Sequence, residues 1–283
     1  MPPDDQALSF ACEGAWLTGI LSPADPSQGT AKRGVLIVVG GPQYRTGSHR
    51  QFVLLARALA AQGIPAMRFD YRGMGDSGGA PRGFHDVDAD LRAATDTFLA
   101  ACPDLREVVL WGLCDGASAA LFYAGQDRRI AGLVLLNPWA RTADGHARAT
   151  LKHYYLARLL QPAFWKKLAS GRFDFGGAVR SLTGLVRASR SAASAPAPAQ
   201  PGLHARMLAG WQGFAGPVLL VISSADLTAQ EFLAMAAGSR PWQQQLALPR
   251  VQRRTLASAD HTFSRRAWRD QVARWTIEWV RSW

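Results

Sequence analysis

The string Trp111-Gly112-Leu113-Cys114-Asp115-Gly116-Ala117-Ser118 sets a cysteine between two glycines, each two residues away from it. The apolar run before it, Arg106–Leu113, reads as a strand, and the small-residue run after it, Ala117–Gly125, as a helix. A strand that turns directly into a helix holds the apex residue in a strained conformation, and side chains at the flanking positions would collide with the turn. The apex side chain is then presented above the sheet, beside a helix N-terminus. This is a nucleophile elbow, G-x-S-x-G, with sulfur in place of oxygen. A thiol suits the position, because helix N-termini and neighbouring histidines both favour thiolate. The competing reading, a buried small hydrophobe, is the ordinary fate of a free cysteine, and the strand and helix around Cys114 argue against it.

A nucleophile needs a base, and the base needs a group to orient it. Of the histidines His49, His85, His146, His153, His204 and His261, only His261 lies late in the chain, in the loop Ser258-Ala-Asp-His-Thr-Phe263 after an expected strand. Behind such elbows the triad runs in the order nucleophile, acid, histidine. Asp226 ends Val221-Ile-Ser-Ser-Ala-Asp226, between Cys114 and His261, where the acid belongs. Asp260 is the rival, but adjacent residues on an extended segment point apart. A surface-loop histidine and a turn-forming aspartate are the plainer readings of these two residues.

An acyl-transfer site also needs backbone N–H groups aimed at the developing oxyanion. Asp115 supplies the first. The second is expected from Gly41-Pro42-Gln43-Tyr44, where Pro42 has no N–H to give. Gln43 is the favoured donor, and Gly41 in a shifted loop the alternative. The other glycine-rich string, Phe69-Asp-Tyr-Arg-Gly-Met-Gly-Asp-Ser-Gly78, fits neither a Walker loop nor G-x-G-x-x-G. It reads as a tight turn, with Arg72 and Asp70 in local ion pairs.

The elements that must position these residues follow from periodicity. Ala7–Cys12 and Ala15–Leu21 flank the turn Glu13–Gly14 and suit a hairpin. Gly34–Gly40 is unbroken and apolar, as a strand covered on both faces would be. Gln51–Gln62 is helical, Ile64–Tyr71 a strand, Asp86–Ala101 a helix and Ile130–Asn137 a strand. The alternation predicts an α/β fold with a mostly parallel, doubly wound sheet. It stops after Pro138 and resumes with a strand over Pro217–Ser223, a helix from Glu231, a strand near Val251–Leu256 and a final helix over Arg265–Trp283. Residues 1–139 and 203–283 therefore form the core, with 140–202 as a helical cap insertion that closes on an Ala/Ser/Pro-rich return, Ala188–Pro201.

The chain of 283 residues is 48% hydrophobic, ample for one large α/β domain. No apolar run approaches the roughly 20 residues that span a bilayer. The N-terminus lacks the pattern of a signal peptide, and the three cysteines are sparse and without metal-ligand spacing. A cytoplasmic protein with free thiols and no metal or cofactor is expected. The net charge of +11 is spread along the chain and reads as a solvated basic surface, not a nucleic-acid footprint.

Several strings together resemble a known family. Gly40-Gly-Pro-Gln-Tyr-Arg45, Arg68-Phe-Asp-Tyr-Arg-Gly-Met-Gly-Asp-Ser77, Leu110-Trp-Gly-Leu-Cys-Asp115, Leu136-Asn-Pro-Trp139 and Lys152-His-Tyr-Tyr155 resemble the exosortase A system-associated hydrolase 1 family, over about residues 7–280. That resemblance implies the α/β-hydrolase fold, similar to the serine aminopeptidase-like branch of the superfamily. It also implies a bacterial setting of exopolysaccharide production and protein sorting to the envelope. The cysteine stands where the superfamily usually carries serine.

Three functions follow. The first is an esterase or thioesterase acting on a small-molecule acyl substrate through an acyl-cysteine. The second is an acyltransferase that passes the acyl group to a sugar or amine, and polyester synthases of this fold similarly carry G-x-C-x-G. The third is a non-catalytic accessory scaffold, against which the order of Cys114, Asp226 and His261 argues. Within the cap, Tyr154, Tyr155 and Trp165 are candidate substrate-binding residues. With Lys166, Lys167 and Arg172 close behind, the same run also suits peripheral contact with an anionic membrane, at its inner face. Packing of the cap on the core is the plainer reading.

Overall fold

The computed structural model describes residues 4–41, 43–141 and 202–283. β1 (Gln6–Cys12) and β2 (Ala15–Ser22) form a hairpin, turned at Glu13 and Gly14 with φ of 44° and 80°. The chain then alternates through β3 (Arg33–Val38), α1 (Gln51–Ala60), β4 (Ala66–Phe69), α2 (Asp88–Ala101), β5 (Glu107–Leu113), α3 (Asp115–Ala124) and β6 (Ile130–Leu136). Beyond residue 201 come α4 (Leu203–Gly213), β7 (Val218–Ser223), α5 (Leu227–Ala237), α6 (Arg240–Leu246), β8 (Val251–Leu256) and α7 (Arg266–Arg281). One eight-stranded sheet runs β1-β2-β4-β3-β5-β6-β7-β8. It is antiparallel at β1–β2 and β2–β4 and parallel from β4 through β8.

Burial on both faces explains the unbroken apolar strands. Along β3, Leu36 and Val38 join the core beneath α2 and α3, with Leu91, Phe98, Ala117 and Leu121. Val35 and Ile37 point the other way, into the core that holds Phe52, Leu55 and Leu59 of α1 and Val272 and Trp279 of α7. Each such fully buried aliphatic side chain contributes about 1.5–3 kcal/mol. The edge strand β8 breaks the pattern, because Gln252, Arg253, Arg254 and Thr255 are exposed.

The structure departs from expectation in three places. Helices α4 and α6 lie outside the expected elements; few of their residues are buried, Met207 and Trp211 on α4 and Trp242 on α6. Helix α5 begins at Leu227, four residues before Glu231, because Asp226 caps it. The turn after β4 also carries different ion pairs. Arg72 pairs with the fully buried Asp90 of α2, at 2.7 Å, and with Glu13 of the hairpin. Asp70 pairs with Arg45. The turn thus ties distant segments together, and no pair joins Arg72 to Asp70. The expected cap, with Tyr154, Tyr155 and Trp165, lies outside the described residues apart from its ends.

β3 is flanked by β4 on one side and β5 on the other, so the order of the sheet reverses between β3 and β5. In open α/β sheets the crevice at the carboxyl ends of the strands beside such a reversal is where ligands bind. Gly40–Gly41 and Cys114 stand at those two strand ends.

Candidate active site

Cys114 sits between β5 and α3 with φ 61° and ψ −125°, a conformation that costs a non-glycine residue of order 1–3 kcal/mol. Surrounding hydrogen bonds impose it. The Cys114 N–H donates to Leu136 O at 2.9 Å, and its carbonyl accepts from Ala117 at 3.1 Å and from Trp139 at 3.1 Å. The two flanking glycines are steric necessities. A Cβ on Gly112 would lie 2.5 Å from the backbone of Gly116, and one on Gly116 would lie 2.5 Å from Val38 O.

The imidazole of His261 faces Cys114 from the loop after β8. Its Nδ1 lies 2.9 Å from Asp226 Oδ2, and the Cys114 side chain is near enough to act on its charge. The Asp226 bond first, and the Cys114 side chain second, push the His261 imidazole up to about 10, although burial opposes this. Asp226 is itself held as the N-cap of α5, accepting from Thr228 N–H at 3.2 Å and Ala229 N–H at 3.1 Å. The rival carboxylate is occupied elsewhere: Asp260 accepts the N–H of Ser264 at 2.9 Å and also its hydroxyl.

The loops after β7 and β8 are stitched together so that these side chains meet. Ser258 N–H donates to Ser224 Oγ at 2.7 Å, and Ala225 N–H to Ala259 O at 3.2 Å. Asn137, at the end of β6, is buried and links both loops. Its Nδ2 donates to Ser223 Oγ at 2.9 Å and to the His261 carbonyl at 3.2 Å, and its Oδ1 accepts from Ser223 N–H at 2.8 Å. Sequence reasoning placed Asn137 at a strand end and gave it no role. Its neighbour Pro138 and its place at the close of an apolar run were the only signals.

Asp115 is the first residue of α3, and Gln43 lies in the loop after β3. The Gly41 N–H, the alternative second donor, is taken by the Asp115 carboxylate at 2.7 Å. Among the described residues no cluster of three or more His, Cys, Asp or Glu could hold a metal ion. No helix among them is long and apolar enough to cross a membrane. Cys12, Cys102 and Cys114 are all free thiols.

A mostly parallel sheet with a strained elbow at the end of β5, and an Asp–His pair carried by the loops after β7 and β8, defines an α/β hydrolase. The chain belongs to the alpha/beta hydrolase family, whose model matches residues 35–275. Among solved structures it is similar to the Pyrococcus furiosus esterase Pf2001, at a TM-score of 0.66 and 16% identity over 99% of this chain and 91% of that one. It is similar to Est1E from Butyrivibrio proteoclasticus, at a TM-score of 0.63 and 16% identity over 97% of this chain and 98% of that one. At these identities the likeness is one of fold. In sequence it is 29% identical over 148 residues to the polyketide transferase claH of Penicillium crustosum, covering 51% of this chain and 47% of that protein. It is 30% identical over 132 residues to the polyketide transferase grgF of a Penicillium species, covering 44% and 42%. The matched stretches thus span less than half the length of these curated relatives.

Proposed function

We propose that this protein is a thiol-dependent esterase or thioesterase that carries its acyl group on Cys114, with His261 as base and Asp226 as the acid that orients it. The observation that carries this reading is the imidazole of His261, hydrogen-bonded to Asp226 at 2.9 Å and set beside the Cys114 side chain at the apex of the elbow. The sulfur of Cys114 attacks the acyl carbon with its proton already held on the His261 imidazole. The oxyanion is met by backbone N–H groups of Asp115 and Gln43. His261 then returns the proton to the leaving alcohol or thiol, and an acyl-cysteine remains. A second nucleophile gives its own proton to His261 and releases the acyl group, which regenerates the thiol.

Whether that second nucleophile is water or an acceptor molecule separates hydrolase from transferase. Two curated relatives named as polyketide transferases favour acyl transfer as a second reading, for which we propose a sugar or amine as acceptor. The resemblance of its sequence strings to the exosortase A system-associated hydrolase 1 family is what supports a role in a bacterial exopolysaccharide system. The proposed setting is the cytoplasm, with peripheral contact at the inner face of the membrane. Tyr154, Tyr155 and Trp165 are the proposed substrate contacts.

The test is to incubate the protein with a panel of p-nitrophenyl esters and aryl thioesters and to read the adduct by mass spectrometry. An acyl group on Cys114, resolved by water alone or faster with added sugars or amines, is the expected result. Turnover unchanged in Cys114→Ala would refute it.

A further inference from the structure

We propose that the side chain of Asp115 is a positioning residue for acyl transfer, which pins the loop after β3 to the elbow so that Gln43, and not Gly41, offers the second backbone N–H to the oxyanion. The inference rests on the reading of Cys114 as nucleophile. Asp115 is followed by Gly116, the two lying just after the apex on the first turn of α3. Its Oδ2 accepts the Gly41 N–H at 2.7 Å, and its Oδ1 accepts the Gly116 N–H at 3.0 Å. One carboxylate therefore clasps the two strand ends that border the crevice, β3 through Gly41 and β5 through the elbow. The space for it is built in: a Cβ on Gly40 would lie 2.1 Å from Asp115 Oδ1.

The clasp decides which N–H groups remain. Gly41 points its N–H at the carboxylate, and Pro42 has none. Gln43 is the next residue able to donate. Two residues further on the loop is anchored again, because Arg45 N–H donates to Asp70 Oδ1 at 2.6 Å and the Arg45 guanidinium pairs with Asp70 and Asp76. Gln43 is thus suspended between two fixed points. Its own Oε1 accepts the Ser48 N–H at 3.4 Å, which closes the loop on itself. Burial pushes the Asp115 carboxyl up, against the stabilising N–H groups of Gly41 and Gly116. Those donors also blunt its repulsion of the negative charge that develops beside it during acyl transfer.

Two reactions of Cys114 separate this role from a structural one. Acylation by p-nitrophenyl acetate passes through an oxyanion, whereas alkylation by iodoacetamide displaces iodide and forms none. In Asp115→Ala the acylation rate should fall about 10–100-fold, part of the roughly 10²–10³-fold cost of losing one oxyanion donor outright. Asp115→Asn, which is isosteric and keeps one acceptor, should lie between Asp115→Ala and wild type. Alkylation should stay within about 3-fold of wild type in both. Acylation unchanged, or acylation and alkylation falling together, would overturn the proposal. A rise in acylation would also overturn it, since the carboxylate would then be blocking Gly41 as the true donor. If wild-type Cys114 is alkylated but never acylated, the nucleophile reading itself fails, which is a separate outcome.

Discussion

Asp226 Oδ2 receives His261 Nδ1 at 2.9 Å and, on the same oxygen, the backbone N–H of Ala229 at 3.1 Å. The carboxylate that orients the imidazole is thereby also the cap of α5. Helix and histidine both hold it, so it has little freedom to turn away. Asp226→Asn should lower the rate of acylation about 10³–10⁴-fold with little change in KM, because the imidazole loses its tautomer and its partner. Asparagine caps a helix about as well as aspartate, so any loss of stability read from urea unfolding should come from the His261 pairing and not from the cap of α5. Asp260→Asn should perturb only the Ser264 turn. If it slows the reaction more than Asp226→Asn does, the acid has been misassigned.

Cys114→Ser should fold normally and lose most activity, since the hydroxyl is a far poorer nucleophile at a site arranged around a thiol. Comparing its thermal unfolding with its rate on p-nitrophenyl acetate checks both halves. A serine variant at or above the wild-type rate would mean that the site does not depend on sulfur.

The His261 imidazole, raised from 6.5 to about 10, links the site to stability. The folded chain holds this proton more tightly than the unfolded one. The stabilisation is therefore complete below about pH 6.5 and is lost as pH rises through about 10. The difference in unfolding free energy between wild type and Asp226→Asn should be greatest near pH 6 and shrink towards pH 10. A difference that stays flat across that range would show that the two groups are not coupled.

Asn137→Ala should destabilise the fold by about 1–3 kcal/mol, since it leaves Ser223 N–H and the His261 carbonyl without their buried partner. Its kcat should fall more than its KM rises, because the His261 loop would loosen while substrate contacts persist. Equal urea midpoints for variant and wild type would argue that water replaces the amide at no cost.

Replacing Tyr154, Tyr155 or Trp165 by Ala should alter acyl-chain preference across a series of p-nitrophenyl esters, while iodoacetamide still alkylates Cys114 at its usual rate. An unchanged preference would move substrate selection to other residues.

The elbow was legible in the sequence because its chemistry is local. Gly112, Cys114 and Gly116 must sit two apart for a strand to turn into a helix, and that spacing survives in any linear reading. The apolar runs of β3, β5, β6 and β7 were equally plain, since strands buried on both faces leave no polar alternation. His261 and Asp226 could be picked by chain order, yet their approach to 2.9 Å depends on β7 and β8 being neighbours in the sheet, with their loops stitched by Ser224 and Asn137. The partners of Arg72 lay beyond local reasoning, because Asp90 and Glu13 are distant in sequence and meet it only when α2 and the hairpin pack against the turn. The Asp115 side chain is the clearest instance. In sequence it is the residue after the nucleophile, valued for its backbone N–H, whereas its carboxylate gains a partner in Gly41 only because β3 and β5 lie side by side. Spacing along one turn is fixed by covalent geometry; contacts between strand ends are fixed by the order of strands, which no single segment encodes.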